Sequence, residues 1–342
     1  MNFLHLFAIV GLTLGATARN CQCDGPYART RPPNDSLVVD PTGSYPNSFL
    51  NVSDATNALN TSTTEEQVIF VFPGTYHEQV YVRFMDGPII LQGYTCDSRS
   101  YRNNEVTLSQ NKSRLSPGVK SNDDTVTLKL WATSGLKVYN LNVANTFGFA
   151  EENGQALAVS AETALQGFYG CNFTGYQDTL YANEGRQLFV DSFISGAVDF
   201  IFGDSSRAWF ERIDIETVGP GYITANGRDS EENDSWYIFN RCRVTGTNEP
   251  NTTYLGRPWG PYSRVVFQNS YLGDVINAKG WSPWNSQDSP NSTYYREFNN
   301  SGPGTTGPRA TWAGYLDQPV NIEDILGDGF KSEWWVDASY LL

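Results

Sequence analysis

The sequence predicts an all-β chain wound as a single-stranded, right-handed parallel β-helix, and three observations carry that expectation. From Gln67 onward the chain is a succession of short β-rich runs divided by Gly, Asn, Asp and Ser. Amphipathic stretches of helical period are scarce, which argues against alternating βαβ units. A shift of 21 residues lays Thr174-Gly175-Tyr176-Gln177-Asp178-Thr179-Leu180-Tyr181 over Ser195-Gly196-Ala197-Val198-Asp199-Phe200-Ile201-Phe202, so that hydroxyl, glycine, aspartate and apolar ends coincide. The same shift carries Gly175 back to Gly154 and Phe189 forward to Phe210. A repeat of this size with several short strands is what stacked solenoid coils generate. A sandwich of look-alike strands also fits the periodicity, and the shared Gly-x-x-Asp favours the β-helix.

Along the chain, residues 1–18 form an apolar stretch ending in Ala16-Thr17-Ala18, a small-x-small pattern that reads as a secretory leader even though no Lys or Arg precedes it. Residues 19–342 show no linker and are expected to form one domain. No later stretch approaches the ~20 apolar residues of a membrane helix, so a soluble, extracellular, monomeric protein is expected. Asparagines 34, 51, 60, 111, 172, 233, 251, 291 and 299 each begin an Asn-x-Ser/Thr sequon, in keeping with secretion; Asn172 falls inside an expected coil and is a poor acceptor. The β-rich runs lie at 68–72, 88–91, 125–130, 136–143, 156–159, 187–190, 208–215, 236–239 and 264–267. Residues 285–311 read as loops laid over the coils. Residues 322–326, with Trp334 and Trp335, are expected to cap the open end of the core.

With 342 residues, 39% of them hydrophobic, the chain is too apolar for disorder. A net charge of −14 excludes a nucleic-acid binder, which needs a clustered basic face, and would repel a polyanionic product. The five cysteines, Cys21, Cys23, Cys96, Cys171 and Cys242, leave at least one unpaired in an oxidising compartment, and their pairing does not follow from the sequence. Neither they nor His5 and His77 have metal-site spacing, so no zinc is expected, and His77 reads as a surface strand residue.

If coils stack in register, Asp178 and Asp199 sit on adjacent strands ~4.8 Å apart with side chains pointing the same way. At an effective dielectric near 20 such a pair repels by about 3 kcal/mol, enough to separate the two pKa values by about two units. One carboxyl then holds its proton while the other ionises, which supplies an acid and a nucleophile from one pair. Aspartates stacked at solvated turns are the ordinary alternative. The apolar surroundings of Asp199, from Ala197 to Phe202, argue against it.

Five segments, in order, resemble the signatures of pectin methylesterases: Gly74-Thr75-Tyr76-His77-Glu78, Gly154-Gln155-Ala156-Leu157-Ala158, Gly175-Tyr176-Gln177-Asp178-Thr179-Leu180-Tyr181, Val198-Asp199-Phe200-Ile201-Phe202-Gly203 and Leu255-Gly256-Arg257-Pro258-Trp259. The intervening segments are fungal in style. The resemblance implies a pectin-lyase-like solenoid that hydrolyses the methyl esters of homogalacturonan (pectin) with no metal or organic cofactor. It assigns Asp199 as nucleophile, Asp178 as acid and then base, Gln155 and Gln177 as oxyanion donors, and Arg257 as the partner that holds Asp199 ionised. It sets Trp259 against a sugar ring, with Phe202 and Tyr181 lining the same groove or packing the coils. Tyr76 and Glu78 are expected to be structural.

Two rivals follow from the same residues. The first is another pectin-active β-helix enzyme: carboxylates about 5 Å apart also fit a retaining glycosidase, but an oxocarbenium centre has no use for two oxyanion donors, and a lyase of this fold is expected to carry a calcium-binding acidic cluster that the sequence does not show. A binding solenoid without turnover would have no reason to keep both aspartates, both glutamines and Arg257.

Overall fold

The structure, a computed structural model, describes residues 23–285 and 290–342. The expected leader, Cys21 and His5 lie outside them. One 11-stranded sheet takes its strands in chain order, from Leu37–Val39 to Gly314–Tyr315. A second sheet of 13 strands supplies the remaining faces, because the long strands Phe193–Gly203 and Asp214–Asn226 run through a corner and pair on both sides of it. The pairings are parallel, as between Gln166 and Gln187 or Phe210 and Phe239, each one coil apart. This is a right-handed parallel β-helix, as expected. No helix among the described residues is long and apolar enough to cross a membrane.

The coils turn at one recurring corner. Asn140, Asp191, Arg212, Arg241, Asn269 and Asn299 all occupy the left-handed region, with φ between 48° and 54°, and Gly170 (φ 60°) fills the same place in its coil. Asn and Asp tolerate this conformation better than other side chains. A Cβ on Gly170 would meet Asn140 Nδ2 at 2.7 Å. These corners divide what the sequence presents as single runs: 136–143 becomes Leu136–Tyr139 and Asn142–Asn145, and 208–215 is broken at Arg212.

Inside, Phe168, Phe189, Phe210, Phe239 and Phe267 form a stack with centroids 4.3–4.6 Å apart and rings within 8° of parallel. Each sits opposite the next in the strand register, so the Phe189/Phe210 repeat in the sequence is this spine. The next position is Glu297, buried and held by a bidentate pair with Arg309 at 2.8 and 3.0 Å. Arg309 also donates to the carbonyls of Ala278 and Gly304. Replacing Arg309 with methionine leaves a buried, unpaired carboxylate. Thermal or denaturant unfolding is expected to show a loss of about 3–5 kcal/mol, and the double change with Glu297→Met is expected to recover most of it. A loss below 1 kcal/mol for the single variant would contradict this role.

At the N-terminal end the helix Val52–Asn57 covers the core with Val52 and Ala55. Glu78 accepts hydrogen bonds from the backbone N–H groups of Val52 and Ser53, both 2.8 Å, and the buried Tyr76 donates its hydroxyl to the Phe72 carbonyl. Both are thus structural residues. His77 is exposed at the end of its strand. Cys23 and Cys96 form a disulfide, while Cys171 and Cys242 are unpaired in the core, where burial pushes the Cys171 thiol up to about 12.

Three expectations need correction. Residues 125–130 are not one strand: a 3₁₀ turn occupies Asn122–Thr125, capped by the Asp124 carboxylate, which accepts from the backbone N–H groups of Lys120 and Ser121, and the strand begins at Leu128. The 285–311 segment is not only loop, since Tyr294–Phe298 adds a strand to the 11-stranded sheet. Residues 322–326 and Trp335 do not cap the end of the solenoid. Ile325, Leu326, Phe330, Trp335 and Tyr340 lie along the outer face of that sheet, against Tyr169, Leu188, Val190, Trp209, Ile238 and Val266. That outer face carries an apolar strip of its own, which has to be covered.

Candidate active site

Gln177 pairs with Val198, and two residues beyond the aspartates Leu180 pairs with Ile201, so Asp178 and Asp199 face each other across adjacent coils. Both are left-handed, with φ 62° and 49°, and the chain before each is folded tightly. A Cβ on Gly196 would lie 2.3 Å from Phe200 Cβ, and one on Gly175 2.6 Å from Thr179 Oγ1. The repeated glycine therefore permits the close turn that presents each carboxylate. The repeat slips one residue earlier on. Gln155 pairs with Gln177, but Val159 pairs with Leu180, and Thr179 O accepts from both Ala158 N and Val159 N. Gly154 consequently does not fall opposite Gly175, and the two glutamines align instead.

Gln155, Gln177, Asp178, Asp199, Phe202, Arg257 and Trp259 line one cleft of about 260 Å³, together with Asn122, Ala225 and Trp284. Tyr181 stacks on Phe202 at its edge, centroids 4.6 Å apart, and the indole of Trp259 stands 6.2 Å from Phe202 and 44% exposed. The structure thus brings every sequence-predicted site residue together. Arg257, which the resemblance alone assigned, comes from the strand Thr253–Pro258, two strands beyond Phe202. It grips Asp199 with both arms, Nε to Oδ1 at 2.9 Å and Nη2 to Oδ2 at 2.5 Å.

The two carboxyls are not equivalent. Burial pushes Asp178 well above the usual carboxylate range, the charge on Asp199 pushes it further, and Arg257 offsets only part. Burial also raises Asp199, but there the Arg257 hydrogen bonds and charge pull directly against it. Arg257 therefore moderates the rise in Asp199 and does not bring it below the ordinary value. The proton shared by the pair resides on Asp178, and Asp199 is the member that ionises first. Gln155 Oε1 is buried with no hydrogen-bond partner among the described residues.

Three residues that sequence reasoning missed complete the site. Asn122, first residue of the 3₁₀ turn, donates Nδ2–H to Asp178 Oδ2 at 3.1 Å. Tyr222 and Trp284 sandwich the Arg257 guanidinium, with ring centroids 4.0 and 4.1 Å from Cζ. Ser121-x-x-Asp124 is a readable capping signal for the turn; nothing in the sequence marks Tyr222. A donor to a carboxylate favours its ionised form. Asn122→Ala is therefore expected to move the basic limb of the activity–pH profile, where Asp178 loses its proton, to higher pH. A limb that stays in place or moves to lower pH would contradict this contact.

A parallel β-helix carrying two neighbouring buried carboxylates, one of them clamped by arginine and both flanked by amide side chains, defines a solenoid enzyme of the paired-carboxylate kind. The chain belongs to the pectinesterase family, whose model matches residues 36–325. It is 47% identical over 322 residues to a pectinesterase of Aspergillus aculeatus, covering 92% of this chain and 94% of that one. Its fold is similar to that of the pectin methylesterase of Aspergillus niger, with a TM-score of 0.82 and 36% identity over 92% of this chain and all of the other. The pectin methylesterase from carrot aligns with a TM-score of 0.75 and 29% identity, covering 88% of this chain and 95% of that one.

Proposed function

We propose that this pectinesterase hydrolyses methyl-esterified homogalacturonan to pectate and methanol through an acyl-enzyme on Asp199, and that it acts outside the cell on plant cell-wall pectin. The observation that carries the mechanism is the unequal pair: Asp199 held by Arg257 beside a buried Asp178 that keeps its proton. Asp199 Oδ attacks the ester carbonyl carbon, and the carbonyl electrons move onto oxygen, to which the side-chain N–H groups of Gln155 and Gln177 donate hydrogen bonds. Asp178 gives its proton to the methoxy oxygen as the C–O bond breaks, and methanol leaves an anhydride. Ionised Asp178 then takes a proton from water, whose oxygen attacks the uronyl carbon. The anhydride opens, Asp199 regains its carboxylate, and Asp178 ends protonated. Trp259, Phe202 and Tyr181 offer aromatic surface to the sugar rings. Export is supported by the disulfide and by the exposure of Asn34, Asn60, Asn111, Asn251, Asn291 and Asn299, each at a sequon.

The test uses protein recovered from the medium of an expressing host, with methanol, new reducing ends and unsaturated products measured together on highly methylated pectin. Methanol alone is expected. Reducing ends or unsaturation without methanol would replace the esterase with a glycosidase or lyase, and binding without any product would leave a pectin-binding solenoid.

A further inference from the structure

The groove face continues well past the catalytic pair. At one register level the outward residues run Arg257, Ala225, Phe202, Tyr181, Ser160, Lys129 and Tyr81, each opposite the next on an adjoining parallel strand. Their strand neighbours Leu180, Val159, Leu128, Leu130, Val80 and Val82 are buried in the core, so this row lies on the outer surface. At ~4.8 Å per strand, Lys129 stands roughly 14 Å from Phe202, and Tyr81 roughly 19 Å.

At that distance the surface carries an aromatic platform. Trp131 is 44% exposed, its ring lies 6.2 Å from that of Tyr81, and Lys129 Nζ sits 5.0 Å from the Trp131 centroid. Lys129 is not a free cation, because Asp123 holds it at 2.7 Å and Glu162 at 3.6 Å. Asp123 and Glu162 thus occupy the ammonium that a free uronate would need, and Arg83, exposed at the margin, is the other cation acting on Tyr81. Lys129 therefore offers a free uronate little attraction, whereas a methyl ester needs no cation. The platform is also continuous with the catalytic cleft, since successive residues of one turn reach both: Asn122 donates to Asp178 and Asp123 pairs with Lys129.

We propose that Tyr81, Lys129 and Trp131 form a distal binding site for an esterified galacturonosyl unit of the polymer being cut at Asp178 and Asp199. The proposal rests on the pectinesterase reading above. It also explains an exposed indole in line with the cleft: a flat apolar plate with a polar rim suits the C–H face of a sugar ring.

The experiment compares wild type, Trp131→Ala and Trp131→Phe on long methylated pectin and on a methylated oligomer long enough for the catalytic pair but too short to reach Trp131. Trp131→Ala is expected to lower kcat/KM on the polymer by roughly tenfold and to leave the oligomer unchanged, with Trp131→Phe retaining most of the polymer activity. An equal loss on both substrates, or no loss on the polymer, overturns the proposal. Electrophoresis through gels containing pectin reads binding without turnover. Trp131→Ala should be retarded less than wild type in highly methylated pectin, with no difference between the two in de-esterified pectin, and equal retardation in the methylated gel would also overturn it. Failure of wild type to release methanol from either substrate would count against the esterase reading, and the gels would still decide the platform.

Discussion

Asp199→Ala is expected to lower methanol release at least ~10⁴-fold, because under the proposed mechanism it removes the atom that forms the acyl bond and leaves water to attack an ester that the site only positions and polarises. The structure adds a second effect. Arg257 is pinned between Tyr222 and Trp284 and cannot swing into solvent without breaking both ring contacts, so the alanine variant leaves a half-buried guanidinium unpaired. Asp199→Asn keeps an acceptor for one arm and should lose as much activity with less stability. Measured side by side, kcat should collapse in both variants while the melting temperature falls further in the alanine variant. Turnover within tenfold of wild type in either one would remove Asp199 from the chemistry.

Gln177→Ala is expected to lower kcat by roughly 10²–10³, or about 2.7–4 kcal/mol, with KM little changed. Gln177 sits between its register partners Gln155 and Val198, directly before Asp178 and beside the approach to Asp199. In the proposed mechanism its N–H groups meet charge that develops only as the tetrahedral intermediate forms. A contact made only in the transition state appears in kcat and not in KM. A variant with raised KM and intact kcat would make Gln177 a substrate-binding residue instead. Gln177→Glu, which offers acceptors and added negative charge, should be at least as damaging.

The legible part of this protein is the part built by repetition. The 21-residue shift is the coil itself, Phe189 and Phe210 are two rungs of the aromatic spine, and the glycines before Asp178 and Asp199 mark turns where a side chain would collide with Phe200 or Thr179. What the sequence hid comes from breaks in that regularity. An added residue between Gln155 and Val159 aligns Gln155 with Gln177. Coils beyond Asp199 lengthen, as in the step from Ala208 to Tyr237, so spacing loses track of Arg257. Asn122 belongs to a 3₁₀ turn fixed by Asp124, and Trp284 lies just before the 285–311 segment read as loop, in no run that marks it. The C-terminal segment was misplaced because alternation within a strand shows that one face is buried. It does not show that Tyr169, Leu188 and Trp209 set an apolar strip on the opposite face and draw Trp335 onto it.

The central claim is that Asp199 carries the uronyl group between two steps, both of which need Asp178. An aryl ester of galacturonate tests this directly in the Asp178→Asn variant, because a phenolate needs no proton to leave whereas water still needs a base to attack. A burst of phenol approaching one equivalent of enzyme, followed by near silence, with a uronyl adduct on the peptide containing Asp199, is the predicted result. Phenol released steadily without a burst, and no adduct on that peptide, would contradict the mechanism and make Asp199 a base that activates water.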